Sequence, residues 1–263
     1  MIDFSAETKQ TIRDNIVFCF LLFFKFFVYD ISMVPSCSMT PTFLTGDLVL
    51  VNKHCIRWSM LSIPYGGVLR FGKKGYVFKI PDHGTPCVFT LPGDPFTYYL
   101  KRLVGKEGDW VQMKNGVLHI NDEPVKMKFV KNYDLLTDDN KIENGQIWNI
   151  TLKNGKSYNV YRNRPLGEGP HDNTPKYQVP KGFVWVQGDY HANSLDCFSG
   201  LVKGTRALPV DHLIATPVYV IINSKSRENV NGLILWIAML PYLIPKYIYK
   251  INWSRKFFVA DKV

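Results

Sequence analysis

The chain has 263 residues, 46% hydrophobic and 14% aromatic, with a formal net charge of +10. That content excludes a disordered chain and allows one large domain, or one domain with membrane segments. The basic balance admits nucleic acid, an anionic membrane surface or simple solubility. No glycine-rich phosphate loop, zinc-finger spacing or RNP-like motif accompanies it, so no nucleic-acid partner is expected.

Residues 1–15, MIDFSAETKQTIRDN, are mixed in charge and read as a cytoplasmic N-terminus. Ile16 to Val34, IVFCFLLFFKFFVYDISMV, approaches the ~20 residues that carry a helix across a bilayer. Lys25 in its middle costs about 2.5–3.5 kcal/mol on insertion scales, which the surrounding Phe and Leu can offset. A cleavable leader would want a basic start, a shorter apolar run and an A-x-A-like exit. The exit here is YDISMVPSCSM, so residues 16–34 are expected to be an uncleaved transmembrane anchor.

Residues 35–228 read as an extracytoplasmic β domain. DLVLVN (47–52), FTYYLKRLV (96–104), DWVQMK (109–114), FVWVQG (183–188) and TPVYVIIN (216–223) are rich in β-branched and aromatic residues. Asn115-Gly116 and Asn154-Gly155 each sit between alternating runs, the strongest short hairpin signal. Residues 165–180, rich in Gly and Pro, read as a loop. No helix longer than three turns is expected in this region.

Residues 230–250 hold a second apolar stretch, whose uncharged part, Gly232 to Pro245, is short for a span. A kinked span, an interfacial segment and a buried helix all stay open. Residues 251–263 form a basic tail, which the positive-inside rule places in the cytoplasm. The fold expected is mainly β: an antiparallel sheet or barrel body with one N-terminal transmembrane helix and a candidate second one at the C-terminus.

The five cysteines, Cys19, Cys37, Cys55, Cys87 and Cys197, include no CxxC pair, so neither a disulfide framework nor a metal site is indicated, though one disulfide among the last four stays open. The six histidines have no metal-ligand spacing. No metal and no cofactor is expected. No GxSxG marks a Ser-His-Asp set. A serine can instead be activated by a lysine, provided burial or a neighbouring cation lowers the lysine pKa from about 10.4. Lys101, within the apolar strand FTYYLKRLVG, suits that role, although by itself it reads as a solvated strand lysine.

Two stretches give this meaning. VPSCSMTPTFLTGDLVLVNK (34–53) resembles the nucleophile box of type I bacterial signal peptidases, close to IPSGSMxPTLxxGDxxxVxK. FTYYLKRLVGKEGD (96–109) resembles the lysine box of that family, close to Y-I-K-R-x-V-G-x-P-G-D. GDYHANSLD (188–196) resembles a degraded GDNRDNSxDSR. The boxes keep the family's order behind an N-terminal hydrophobic segment.

The resemblance implies that Ser38 is the nucleophile and Lys101 the general base of an acyl-enzyme mechanism. It implies an oxyanion hole from the Ser38 N–H and the Ser36 hydroxyl. Ser194 would orient the base, and Asp189 would pair with Arg102. Val34, Val49, Val51 and Leu100 match substrate-pocket positions, where plain core packing is an equal alternative. The implied substrates are signal peptides of exported preproteins, laid against a strand edge. The implied location is the bacterial cytoplasmic membrane, with the catalytic domain on its outer face, in contact with lipid and with the secretion machinery as a candidate partner. Phe96, Tyr98 and Tyr99 could rest on lipid or belong to the core.

The pattern departs at Cys37, where the family has glycine, a residue freer to adopt positive φ. It departs again at Tyr190, His191, Ala192, Cys197 and Phe198 in the last box. Asp196 thereby loses its usual arginine, and Lys203, Arg206 or solvent would have to compensate. The alternative function is a specialised or catalytically weak relative that processes or binds one dedicated secreted or pilin-like protein.

Overall fold

The computed structural model describes residues 6–53, 57–58, 76–77, 79–201 and 206–222. The stretch at 230–250, the tail at 251–263, and His54, Cys55 and Lys203 lie outside them.

A single described α-helix, α1 (Ala6–Phe27), comes first. Its 22 residues span about 33 Å. Charged residues (Glu7, Lys9, Arg13 and Asp14) occupy its first turns, however, and no described helix is long and apolar enough to cross a membrane. The expected span at 16–34 is also divided. The helix ends at Phe27, and β1 (Tyr29–Met33) follows after one residue. Asp30 and Ser32 alternate there with Ile31 and Met33, which is a strand period. Asp30 takes the Lys53 ammonium at 2.8 Å, a partner that a continuing helix would not bring to it.

The strands continue as β2 (Leu48–Asn52), β3 (Arg57–Trp58), β4 (Tyr76–Val77), β5 (Pro86–Leu91), β6 (Asp94–Gly105), β7 (Trp110–Lys114), β8 (Val117–Ile120) and β9 (Glu123–Pro124). After them come β10 (Lys126–Leu136), β11 (Ile142–Thr151), β12 (Ser157–Arg162), β13 (Tyr177–Gln178), β14 (Phe183–Gln187), β15 (Leu208–Pro209) and β16 (Leu213–Ile222). A seven-stranded antiparallel sheet runs β1-β2-β16-β5-β6-β14-β15. Smaller sheets run β13-β7-β8-β9 and β10-β11-β12, and β3 pairs with β4. The described body is therefore mainly antiparallel β, as expected.

Both Asn-Gly signals mark hairpins. Asn115 and Gly116 take φ of 48° and 76° between β7 and β8, as a type I′ turn requires. Gly155, at φ 80°, turns β11 into β12. The hairpin β10–β11 was not expected. Its strands show no clean alternation, because Phe129 and Val130 are both exposed and the register shifts between Phe129 and Lys131.

The main core gathers Cys87 and Phe89 from β5, Leu103 and Val104 from β6, and Trp185 from β14. Residues of β7, β8, β11 and β12 close over it. Tyr99 stacks on Phe89 at 5.9 Å and Tyr98 packs on a second cluster, so both lean on the core. β6 lies between β5 and β14, where Lys101 is opposite Cys87. A central strand buried on both sides removes Lys101 from water, contrary to the solvated reading of that residue alone.

Candidate active site

Cys37 to Met39 form one 3-10 turn behind Ser36, which is extended at φ −150° and ψ 161°. The turn is anchored at both ends. Thr40 N–H donates to Cys37 O at 2.9 Å, and Tyr190 N–H donates to Ser38 O at 3.1 Å. Cys37 does not adopt positive φ, so replacing glycine there imposes no left-handed strain. From β6, Lys101 Nζ reaches Ser38 Oγ at 2.5 Å. The Ser36 and Ser38 hydroxyls lie 3.2 Å apart.

Lys101 is 5% exposed and Ser38 8%. Burial pushes the Lys101 ammonium down to about 8, against the opposing pull of Asp196, Asp189 and Cys37. A lysine in this state supplies a substantial neutral fraction near neutral pH, which a proton acceptor needs.

Next to Lys101, Arg102 and Asp189 form a bidentate pair, with Nε to Oδ1 at 2.7 Å and Nη2 to Oδ2 at 2.5 Å. Arg102 Nη1 also donates to Gly84 O at 2.6 Å, and the guanidinium lies 4.0 Å over the Tyr158 ring. Thr42 Oγ1 accepts from Arg102 Nη2 at 2.9 Å and donates to Asp189 Oδ2 at 2.5 Å. The sequence-expected pair is thus present, with Thr42 closing a triangle that ties the nucleophile segment to β6.

A family model described as signal peptidase, peptidase S26, matches residues 10–221. The chain belongs to the signal peptidase family. It is a serine endopeptidase of that type. Signal peptidase I of Rickettsia prowazekii is 28% identical over 230 residues, covering 85% of this chain and 84% of its own. That of Rickettsia typhi is 27% identical over 201 residues, covering 73% and 75%. A crystal structure of a signal peptidase I from Enterococcus faecalis aligns with 52% of this chain and 97% of its own at 18% identity, with a TM-score of 0.29.

In this peptidase the altered last box is accommodated by backbone donors. Asp196 accepts from Gly188 N–H at 3.0 Å, Phe198 N–H at 3.0 Å and Ser199 N–H at 3.2 Å. Burial raises its pKa, while the Gly188 N–H, Lys101, the Ser199 N–H and the Ser194 hydroxyl act against that rise. Arg206 does not compensate Asp196, for it donates to Tyr177 Oη at 2.7 Å. Ser194 Oγ is buried without a hydrogen bond of normal geometry and does not bond Lys101. It packs instead on Gly188, where an added Cβ would lie 2.1 Å from Ser194 Oγ and 2.8 Å from Ser38 O. His191 sits beside Arg162, which pairs with Asp172.

The four pocket candidates, Val34, Val49, Val51 and Leu100, meet in one apolar cluster with Met39, Phe43 and Val88. Among the described residues Cys37, Cys87 and Cys197 are buried and form no disulfide. Burial first, then Asp138, pushes the Cys37 thiol up to about 12. A thiol in that state is a poor nucleophile. Sequence reasoning missed Thr42, Asp138 and Glu143. Thr42 stood inside the recognised nucleophile box, whereas Asp138 and Glu143 come from a hairpin that no motif marks.

Proposed function

We propose that this peptidase removes signal peptides from exported preproteins with Ser38 as nucleophile and Lys101 as general base. The observation that carries the reading is the 2.5 Å approach of Lys101 Nζ to Ser38 Oγ in a site that buries both. Ser38 Oγ attacks the scissile carbonyl carbon and its proton passes to neutral Lys101. The oxyanion meets the Ser38 N–H and the Ser36 hydroxyl, preorganised donors whose individual loss costs roughly 10²–10³ in rate. The C–N bond then breaks as the Lys101 ammonium gives its proton to the leaving amine. Lys101 next takes a proton from water, and the hydroxide attacks the Ser38 ester. This frees the signal peptide carboxylate and restores Ser38.

Arg102 and Asp189 hold the strand that carries the base, and Ser194 fills the space beside it. The signal peptide lies extended, with the small residues one and three before the cut against Val34, Val49, Val51 and Leu100. Residues 35–228 are the catalytic domain, on the outer face of a bacterial cytoplasmic membrane. Residues 16–34 are the anchor, whose apolar helical part reaches Phe27. Ile16, Val17 and Phe18 on it are 63, 51 and 59% exposed, apolar surface that lipid would cover. Residues 1–15 are cytoplasmic, residues 230–250 are the candidate second membrane segment that would place 251–263 on the same side, and the secretion machinery is a neighbour.

The test is cleavage of a preprotein carrying a small-x-small site by detergent-solubilised full-length protein, beside Ser38→Ala and Lys101→Ala. Cleavage by the unaltered chain alone is expected. Cleavage by either variant at an undiminished rate would refute the dyad. Alkaline extraction of cell membranes should leave the chain in the pellet, and its release would refute the anchor.

A further inference from the structure

The nucleophile turn is gripped by a part of the chain outside all three boxes. Cys37 N–H donates to both Asp138 carboxylate oxygens, at 3.2 and 3.1 Å. Thr45 Oγ1 donates to Asp138 Oδ1 at 2.8 Å. One carboxylate therefore joins the start of the nucleophile turn to the loop that leads into β2. Asp138 sits at the tip of the β10–β11 hairpin, and that tip is closed by its own bonds. Thr137 N–H donates to Lys141 O at 2.9 Å, and Asn140 N–H donates to Thr137 O at 3.0 Å.

Below the tip the hairpin receives the Cys37 side chain. Cys37 is 1% exposed and packs in a cluster with Tyr133, Leu135, Ile147, Tyr161 and Tyr190. The hairpin also holds the far side of the turn. Glu143 accepts from the Tyr190 hydroxyl, and Tyr190 N–H donates to Ser38 O. Ser38 is thus fixed from before, through Asp138, and from after, through Tyr190.

We infer that Asp138 is a positioning residue of this peptidase: by holding the Ser36–Cys37 peptide it sets where Ser38 Oγ and the Ser38 N–H face the scissile carbonyl. A glycine at 37 has no side chain to dock. Cys37 has one, and the hairpin that receives it also supplies the carboxylate that holds its N–H. The kinetic consequence rests on the Ser38–Lys101 reading, whereas the grip on Cys37 does not.

The test uses the full-length chain in detergent, as wild type, Asp138→Ala, Asp138→Asn and Asp138→Glu. Three quantities are read: kcat and KM on a preprotein with a small-x-small site, and the rate of Cys37 alkylation by iodoacetamide from site-resolved mass spectrometry. Asp138→Ala should lower kcat roughly tenfold with KM within about twofold, because misplacement acts on the reacting geometry. Asp138→Asn keeps an acceptor oxygen and should recover kcat to within about threefold. Cys37 alkylation should quicken by about tenfold or more in Asp138→Ala and by clearly less in Asp138→Asn, which loses the charge that raises the thiol but keeps an acceptor for the Cys37 N–H. If Asp138→Ala does not fold, Asp138→Glu decides, since it keeps the charge and moves the acceptor; it should lower kcat and quicken alkylation.

Wild-type kcat in the altered protein, a loss carried by KM, or no rescue by Asn would overturn the inference. If the wild type does not cleave at all, the proposed function fails. The alkylation rates then decide the grip alone: a faster rate in Asp138→Ala than in Asp138→Asn upholds it, and equal rates in the two overturn it.

Discussion

The proposed Ser38–Lys101 dyad makes a quantitative demand on pH. Burial takes the Lys101 ammonium from 10.5 to about 8, a shift worth about 3 kcal/mol at 1.36 kcal/mol per unit. With a pKa near 8, about 9% of Lys101 is neutral at pH 7 and about 90% at pH 9. The single-turnover rate at limiting substrate should therefore climb about tenfold between those values and then level off. An unshifted lysine would be neutral in fewer than about 0.1% of molecules at pH 7 and would still be climbing at pH 10. Stability should follow in the same direction. The unfolded chain holds the Lys101 proton up to about pH 10.5 and the folded chain only to about 8, so unfolding free energy rises with pH across that window by up to about 3 kcal/mol. Urea unfolding at pH 8 and pH 10 reads the change against Lys101→Met, which should lack this contribution. A rate that is flat from pH 6 to 10 with chemistry limiting, or one whose midpoint lies above 10, would refute the reasoning.

Three further predictions concern the support of the dyad. Gly188→Ala sets a Cβ 2.1 Å from Ser194 Oγ and 2.8 Å from Ser38 O. It should cost about 1–3 kcal/mol by urea unfolding and lower kcat more than about tenfold; wild-type kcat would show that Gly188 does not set the turn. Arg102→Met strands Asp189, which is 1% exposed, with Thr42 as its remaining side-chain donor. It should cost about 3–5 kcal/mol, and a loss below about 1 kcal/mol would mean that the pair is dispensable. His191 is pushed down to about 3, by burial first and then by Arg162. The unfolded histidine gains its proton near pH 6.5, so stability should fall below that value by up to about 1.4 kcal/mol per pH unit. His191→Gln should remove this part of the slope, and an unchanged slope would contradict a buried neutral imidazole.

What could be read from the sequence was local or tied to a motif. Asn115-Gly116 and Asn154-Gly155 marked two hairpins because Asn115, Gly116 and Gly155 take a positive φ that few other residues accept. Ser38, Lys101, Arg102 and Asp189 converge as their boxes imply. The helix expected across residues 16–34 stops at Phe27, because the run hides period two: Asp30 and Ser32 alternate with Ile31 and Met33, and Asp30 meets Lys53 from the strand. Asp138 was invisible because it acts across 101 residues, from a polar turn that reads as solvent-facing. Gly145 in β11 gave no signal either. Its Cβ would lie 2.5 Å from Tyr161 Oη and from Arg162 O, a crowding that only the fold creates. The partner of Asp196 is expected from the sequence among basic side chains or solvent, whereas backbone N–H groups, which carry no sequence signature, supply it.

The central claim is that Ser38, and not its neighbour Cys37, carries the acyl group. The direct measurement is acid-quenched mass spectrometry of the full-length chain, milliseconds to seconds after mixing with a preprotein. The account predicts an ester on Ser38 with the mass of the signal peptide, decaying as product appears and missing from Ser38→Ala. An adduct on Cys37, or turnover of Ser38→Ala at the wild-type rate, would contradict it.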